Sequence, residues 1–313
     1  MAKIKMMKVT DTLTVSQAFN DFLRNCQLKN LSKATITSYK QHFKKFQQFL
    51  QQDMDVSFLS QKIIDNYLLH LQETSHNTES INSNIRHVRA VLNFYAENNY
   101  CQPFKIKLLK VQQKVKETYC EQELSIMLKK PNIKLCDFTE YRNWVMINFI
   151  TATGCRISSA VNIRIQDVDI DNAMVSLSHT KNKSAQILPL PPSLVSVLKE
   201  YIKYRQSSEG EFLFCNNVGK MLLPHSASQA IADYNRSRGI SKTSVHLLRH
   251  AFAKNWVLMG GDVFRLQKQL GHSTLEMSRR YANIYDKDLH KDTEQFNLLE
   301  KLKQGSKSIK MNK

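Results

Sequence analysis

Apolar residues recur at alternating steps of three and four along the first hundred residues, which is the spacing of α-helices with one buried face. One such stripe follows Ser32, a candidate N-cap, and consists of Ile36, Tyr39, Phe43, Phe46 and Leu50. A second consists of Ile81, Ile85, Val88, Leu92 and Tyr95. With two shorter helices near 15–27 and 58–73, the pattern predicts a unit of four helices.

Beyond residue 119 the pattern is mixed but mainly helical. The β-like runs 173–178 and 185–190 flank the turn-forming residues 181–184, which predicts a β-hairpin. A further β-like run covers 211–215. The helices predicted in this part lie near 138–152, from Pro191-Pro192 to about 205, and near 225–237, 246–259, 262–270 and 274–283. The chain is therefore predicted to be mainly α, with a small antiparallel β-sheet in its second half.

The division into domains follows from these patterns and from the length of 313 residues, which suggests about two domains. We expect an N-terminal helical domain over 1–101 and a mixed domain over 119–303. Between them, 102–118 begins near Pro103 and is studded with lysines, as expected of a basic linker. Residues 304–313 form a Lys-rich tail.

The charge of the chain indicates its partner. There are 45 Lys and Arg against 27 Asp and Glu, a net charge of +18. Such an excess favours nucleic acid or an anionic membrane. A membrane is disfavoured because the chain has no apolar run of about 18 residues, and its first residues lack a signal-peptide core. Double-stranded DNA in the cytoplasm is therefore the expected partner.

Basic side chains occupy the helix faces opposite the apolar stripes and continue into the predicted linker. The residues predicted to bind DNA phosphates are Lys33, Lys40, Lys44, Arg86, Arg89, Lys105, Lys107 and Lys110. The alternative is a merely solvated surface, which is what a single charged helix face usually is. Because several basic faces occur on one strongly basic chain, contact with DNA phosphates is as well supported as a merely solvated surface.

Metal and disulfide chemistry find little support. The six cysteines have irregular spacing without a C-x-x-C pair, which suits reduced thiols better than a zinc site. His246 and His250 are four residues apart, but no Glu lies between them in the H-E-x-x-H manner. We expect neither a metal nor another cofactor.

The last third of the chain collects residue types that act on phosphate. On a helix, His246, Arg249 and His250 share one face. Arg156 can supply a second guanidinium, and Lys181 lies at the tip of the predicted hairpin. One guanidinium group can bind two oxygens of a phosphate at the same time. This set therefore suits substitution at a phosphodiester.

A tyrosine can be the nucleophile of that reaction. Tyr281 follows His272 by nine residues. Ionising a phenol at pH 7 costs about 4 kcal/mol, because its ordinary pKa is near 10. Nearby cations lower that cost and stabilise the added charge of the transition state. The proton for the leaving 5′-hydroxyl can come from Lys181 or from a histidine.

These motifs resemble those of the tyrosine recombinases of the phage-integrase and Xer type, over almost the whole chain. The matching residues are Thr153-Gly154-Cys155-Arg156, Gln166 to Ile170, Lys181 eight residues before Pro189, His246-x-x-Arg249-His250, Leu270-Gly271-His272 and Tyr281. The resemblance implies a SAM-like, core-DNA-binding N-terminal domain and a catalytic C-terminal domain. It also implies a homotetramer acting on two DNA sites that have inverted-repeat core sequences.

The resemblance assigns roles to this set. Arg156 and Arg249 would bind the scissile phosphate, while His246 and His272 would assist with hydrogen bonds and proton handling. Lys181 would be the general acid. Tyr281 would form a 3′-phosphotyrosyl link, so that neither ATP nor a metal is needed. His250 would support helix packing, and residues 286–303 would dock on a neighbouring subunit.

Three positions leave alternatives open. Ser159 stands where the family commonly has an acidic residue, which leaves open what orients Arg156. Lys183 is a rival to Lys181, and Tyr285 is a rival to Tyr281.

The biological role also has alternatives. About 13 residues precede the first predicted helix, too few for the arm-site domain of larger integrases, so a simple-site recombinase is expected. Ser159 tips the choice toward integration and excision of a mobile element. Xer-like dimer resolution, a non-catalytic DNA-binding protein on the same fold and a relaxing topoisomerase are the alternatives.

Overall fold

Helices build both units into which the chain divides, residues 1–114 and residues 115–313. The structure is a computed structural model, and it describes residues 12–75, 77–111, 117–178, 185–205, 210–272, 274–276 and 278. Helices joined by short loops, with one small antiparallel sheet in the second unit, confirm the predicted fold class.

The first unit contains the four predicted helices. They are α1 (Val15–Leu28), α2 (Lys33–Leu50), α3 (Gln61–Thr74) and α4 (Thr78–Glu97). Ser32 caps α2 as the sequence predicts, because its Oγ accepts a hydrogen bond from the Thr35 N–H at 3.2 Å. The third helix starts later than predicted. Residues 56–58 form a separate 3-10 turn, and Ser60 caps α3 instead.

An aromatic core holds the first unit together. Phe19 stacks on Phe43 with ring centroids 4.1 Å apart, and Phe46 meets Tyr67 edge-on at 4.9 Å. The buried phenol of Tyr67 donates a hydrogen bond to Asn84 Oδ1 at 2.7 Å. These contacts bury the two apolar stripes of α2 and α4 and leave the basic faces of both helices outward.

Part of the segment predicted as a linker packs on the first unit. Ile106 is buried in its core, and Phe104 and Leu109 pack beside it. Asn82 holds the backbone of Leu109 through two hydrogen bonds of 2.8 Å, one donated and one accepted. The alternation of apolar residues and lysines explains the inward side of Phe104 and Ile106, since an extended chain turns every second side chain to the same side, while the hydrogen bonds from Asn82 hold Leu109. Residues 112–116 lie outside the described part.

The second unit is built around one buried helix. The elements are α5 (Glu121–Leu128), α6 (Phe138–Thr153), α7 (Ile157–Ala160), β1 (Val168–Asp169), β2 (Met174–Leu177), β3 (Gln186–Pro189), α8 (Pro192–Arg205), α9 (Pro224–Ser237), α10 (His246–Leu258) and α11 (Val263–Leu270). Apolar residues surround α6 on all sides, because α5, α8, α9 and α10 pack against it. The helix therefore carries a fixed C-terminal end at Thr153.

The sheet is antiparallel, in the order β1-β2-β3. Strands β2 and β3 pair as the predicted hairpin requires, with Val175 opposite Leu188. The residues that connect them, 179–184, lie outside the described part. The prediction of a strand at 211–215 is wrong, because this segment forms only isolated bridges. Leu213 and Phe214 are neighbours that both point into the core, so the side chains do not alternate as in a sheet.

Candidate functional site

A pocket of about 460 Å³ opens in the second unit and brings two of the predicted site residues together. Arg156 and Arg249 both line it. The other lining residues are Cys155, Ser159, Leu177, Ala185, Gln186, Ile187, Lys268, Leu270 and Gly271. They come from the loop between α6 and α7, from the hairpin, and from the facing helices α10 and α11. Three cationic side chains thus lie around one opening.

Arg249 lies between the C-terminal ends of two helices. Its Nη1 donates to the carbonyl of Gly154 at 2.7 Å, and its Nη2 donates to the carbonyl of Leu270 at 2.8 Å. These carbonyls belong to the ends of α6 and α11. A helix C-terminus carries a partial negative charge of roughly half a unit. The two helix ends therefore stabilise a guanidinium that is only 7% exposed.

Both helix ends depend on a glycine in the left-handed conformation. Gly154 has φ +66° and Gly271 has φ +59°, a region that favours glycine. A Cβ on Gly154 would lie 2.5 Å from Phe252 Cδ1 and 2.7 Å from Leu270 Cδ2. The Thr-Gly-Cys-Arg sequence therefore ends α6 sharply at the point where its carbonyl meets Arg249.

Arg156, the N-cap residue of α7, reaches the C-terminal end of α11, which also holds Arg249. Its Nη1 donates to the carbonyl of Gly271 at 3.5 Å. Ser159, which replaces the expected acidic residue, is buried one turn further on and lines the pocket. Position 159 offers no carboxylate to Arg156. The Gly271 carbonyl at the end of α11 takes part in orienting the guanidinium instead.

Gln186 completes this set of contacts and was not found from the sequence. Its Nε2 donates to the carbonyls of Lys268 at 2.6 Å and Gln269 at 2.9 Å. The carbonyls of residues 268 to 271, which we call the carbonyl row, therefore receive Gln186, Arg249 and Arg156. Lys268 also lines the pocket and was missed. The spacing along the chain contains no signal for Gln186, since its partners are distant main-chain atoms. Lys268 is one basic residue among 45 Lys and Arg, and no motif marks it.

His272 follows the carbonyl row directly. Its Nδ1 lies 2.8 Å from Ser278 Oγ, and its backbone N–H and C=O both bond to Gln267. Burial, and then the charges of Arg249 and Arg156, lower the pKa of His272 to about 4. At neutral pH this imidazole is therefore uncharged, and it acts as a hydrogen-bonding group rather than as a further cation beside the two arginines.

The other two histidines are placed differently. His246 is the first residue of α10 and is exposed, one turn before Arg249 on the same helix. It is not among the residues that line the pocket. His250 is half-buried, and its charge contributes to the lowered pKa of His272, which places it near that ring.

Four predicted or rival residues cannot be located. The proposed general acid Lys181, its rival Lys183, the proposed nucleophile Tyr281 and its rival Tyr285 lie outside the described residues. The roles assigned to them stay predictions.

Most of the basic residues predicted to bind DNA are exposed in the first unit. These are Lys33, Lys40, Lys44, Arg86, Lys105, Lys107 and Lys110. Arg89 is half-buried, and its Nη1 donates to the carbonyl of Ile106 at 3.5 Å. Its position therefore also serves to hold the packed segment 104–109 in place.

The described residues contain neither a membrane-spanning helix nor a cluster of metal-binding side chains. No described helix has both the length and the apolar character needed to cross a membrane. In the same part of the chain, no three His, Cys, Asp or Glu residues are grouped to hold a metal ion. The six cysteines are all described and all free, and burial raises the pKa of the Cys155 thiol to about 11.

Comparisons with known sequence families place the helical first unit and the arginine-lined second unit in one class of protein. The sequence model of the phage integrase family matches residues 120–288, and that of the phage integrase SAM-like domain matches residues 14–111. The chain belongs to the phage integrase family.

Individual relatives agree with this membership. Tyrosine recombinase XerD of Staphylococcus epidermidis is 26% identical over 279 residues, which cover 86% of this chain and 94% of XerD. Tyrosine recombinase XerA of Pyrococcus furiosus is 25% identical over 290 residues, covering 92% and 96%. The integrase of transposon Tn1549, solved with transposon right end DNA, has a similar fold with a TM-score of 0.72. It is 18% identical, covering 86% of this chain and 94% of that one.

Proposed function

We propose that this protein is a site-specific DNA recombinase that cleaves and rejoins DNA strands through a 3′-phosphotyrosyl intermediate. The observation that supports the proposal most strongly is the convergence of Arg156 and Arg249 on one pocket. Each guanidinium is held by a main-chain carbonyl at the end of α11. A guanidinium has five N–H donors in a planar fork, so a group held along one edge can bind phosphate oxygens with another.

The proposed chemistry is a substitution at the scissile phosphate. The Tyr281 phenol passes its proton to a histidine of the site and its oxygen attacks phosphorus, the bond to the 5′-oxygen breaks, and Lys181 gives the leaving oxygen its proton. Arg156 and Arg249 stabilise the charge on the phosphate as it passes through the five-coordinate state. The neutral His272 and the exposed His246 assist with hydrogen bonds. The second half-reaction reverses these steps with a different 5′-hydroxyl and needs neither ATP nor a metal.

The first unit is proposed to bind the duplex. Its exposed lysines on α2, together with Lys105, Lys107 and Lys110, supply positive charge for backbone phosphates. The Tn1549 relative is itself seen with transposon DNA. We propose that this chain acts in the cytoplasm as a homotetramer that holds two DNA sites, each with inverted-repeat core sequences.

Two biological roles fit this activity. Integration and excision of a mobile element is the one we favour, since the residue at the usually acidic position is Ser159. Xer-like resolution of chromosome or plasmid dimers is the second, because the relatives compared by sequence bear the names XerD and XerA.

A covalent-trapping assay tests the proposal. Wild-type protein is mixed with nicked suicide duplexes cut from the DNA that flanks its own gene, and the products are separated on a denaturing gel. We expect an adduct with wild type and with Tyr285→Phe, and none with Tyr281→Phe. Adducts at the flanking sites would support the mobile-element role. Tight binding to the same duplexes with no adduct in wild type would favour the binding-only alternative.

A further inference from the structure

We propose that Gln186 is a positioning residue that ties the hairpin to the helix end where the phosphate-binding arginines are held. The inference rests on the proposed function and deepens it. The juxtaposition that carries it is the carbonyl row at residues 268 to 271, which receives side chains from three separate elements.

Gln186 is well placed for this role by its position in the sheet. It is the first residue of β3 and pairs with Leu177 at the end of β2. Its side-chain amide crosses to α11 and makes two hydrogen bonds, to Lys268 and Gln269. Carbonyls in the last turn of a helix lack a full set of intrahelical partners. The amide therefore fixes the loop end of the hairpin to the end of α11, whose carbonyls can accept further donors.

The same helix end holds both arginines. The carbonyl of Leu270 accepts from Arg249, and that of Gly271 accepts from Arg156. Gln269 extends the network, because its Nε2 donates to the carbonyl of Thr153 at 3.3 Å. A displacement of the hairpin relative to α11 would therefore shift the carbonyls that hold the two guanidinium groups. A displacement of those carbonyls would in turn shift the hairpin.

The fit around the Gln186 amide is close. A Cβ placed on Gly271 would lie 2.9 Å from Gln186 Oε1, so the amide packs directly on the glycine that ends α11. The side chain is held on both sides, by its own two hydrogen bonds and by this contact. An amide is also suited chemically. It donates twice without adding charge to a pocket that already holds Arg156 and Arg249.

The consequence for the reaction concerns Lys181. This residue precedes Gln186 by five positions along the chain, in the connection that leads into β3. Once Gln186 is fixed to the carbonyl row, the segment with the proposed general acid starts from a fixed point beside the arginines. We therefore infer that loss of the amide slows the protonation of the leaving group more than it weakens DNA binding.

The test uses Gln186→Met, which keeps the length of the side chain and removes its donors. The matched control is Gln229→Met, since Gln229 is an exposed glutamine of the same unit whose Nε2 bonds only within α9, to Asp233. The full-length proteins are compared in single-turnover adduct formation, DNA affinity and thermal unfolding. The duplexes are an ordinary suicide substrate and one with sulfur in place of the bridging 5′-oxygen at the mapped cleavage position.

Sulfur makes the test specific to the general acid. A thiol has an ordinary pKa near 8.5, so it leaves without help from a proton donor. On the ordinary duplex we expect Gln186→Met to form the adduct about 10- to 100-fold more slowly, because general acids contribute about 100-fold or more and this variant displaces the proposed acid without removing it. We expect its DNA affinity and melting temperature to match those of Gln229→Met. On the sulfur duplex most of the defect should disappear.

Each other outcome has a definite meaning. An equal defect on both duplexes, or no defect on either, would overturn the link between Gln186 and the general acid. Absence of an adduct with wild type on both duplexes would instead count against the proposed function itself.

Discussion

Arg249 keeps a full positive charge while it is almost completely buried. Burying an ion without compensation is expensive, since the effective penalty is several kcal/mol. The ends of α6 and α11 compensate here, because each directs a carbonyl at one terminal nitrogen of the guanidinium. The packing of the second unit and the proposed binding of phosphate thus depend on the same side chain.

Arg249→Lys is expected to damage both properties. A single ammonium lacks the planar fork that spans the Gly154 and Leu270 carbonyls, so one buried acceptor loses its donor, at a cost of about 2 kcal/mol. We expect a loss of that size in the free energy of unfolding and no detectable covalent adduct. Urea unfolding followed by tryptophan fluorescence measures the second unit, since Trp144 and Trp256 are the chain's two tryptophans.

The control for this substitution is Arg236→Lys. Arg236 pairs with Asp233 on the surface of α9, and both side chains are more than half exposed. Surface pairs of this kind contribute about 0–1 kcal/mol. A loss in Arg236→Lys as large as that in Arg249→Lys would contradict the account given for the two helix ends.

His272 gives the second unit a dependence on pH. Its pKa is about 4 in the fold, against about 6.5 in the unfolded chain. As pH falls, the unfolded chain therefore takes up the proton first. The stabilising effect of the neutral ring is complete above pH 6.5 and is lost progressively between pH 6.5 and about 4.

We expect His272→Gln to remove this contribution. Urea midpoints of wild type and variant should be measured from pH 7.5 to 4, and the wild-type midpoint should fall more steeply below pH 6.5. Both proteins share the other groups that titrate in this range, so the difference between their midpoints isolates the contribution of His272. Parallel curves over the whole range would mean that the ring takes up its proton equally well in both states.

At the scale of elements, periodicity and capping predict most of the helices, because an amphipathic stripe is a local property of the sequence. The two long stripes of the first unit became α2 and α4, and Ser32 caps α2 as expected. The prediction failed at 211–215, where tertiary burial of both Leu213 and Phe214 overrides a β-like composition. The two-residue strand β1 is too short to have a pattern of its own.

The candidate site divides in the same way. Arg156, Arg249 and His272 were found because their spacing matches a family motif. Gln186 was missed because its side chain contacts main-chain carbonyls, and such contacts leave no residue type to recognise. Lys268 was missed because it is one lysine among 45 Lys and Arg and no motif surrounds it. Helix ends that meet across the fold belong to the tertiary structure, and no local pattern in the chain encodes them.

Gly154→Ala is expected to weaken the second unit more than an ordinary helix-end glycine would. A side chain at positive φ costs about 1 kcal/mol, and the contacts with Phe252 and Leu270 add about 2 kcal/mol of overpacking. Gly239→Ala is the control, because Gly239 has φ +76° just beyond α9 and open space around it. We expect losses of about 3 and about 1 kcal/mol in tryptophan-monitored unfolding. Equal losses would show that Phe252 and Leu270 move aside freely.

At the scale of the whole molecule, the chain has a net charge of +18. Part of its positive charge lies on exposed lysines of the first unit, and part lies in the arginine pocket of the second. The first set suits binding along a duplex, and the second suits one phosphate. This division predicts that affinity and cleavage respond to different substitutions.

The double variant Lys40→Gln, Lys44→Gln should therefore bind DNA with a weaker dependence on salt. Each lost phosphate contact lowers the slope of log affinity against log salt by about 0.9, so the expected change is about 2. Binding is measured at several salt concentrations, with Lys62→Gln on α3 as the control. An unchanged slope in the double variant would remove α2 from the DNA-binding surface.

The carbonyl row also bears on how this site tolerates change over generations. Every protein sequence supplies a carbonyl at positions 268 to 271, whatever the side chains are. Substitutions at 268 and 269 therefore leave the acceptors for the arginines in place, and they change only the Lys268 charge at the pocket and the Gln269 bond to Thr153. The stronger constraint falls on the two glycines that shape the helix ends, Gly154 and Gly271. A saturation mutagenesis screen for recombination would then show intolerance at these glycines as strong as at the arginines, and weaker intolerance at 268 and 269.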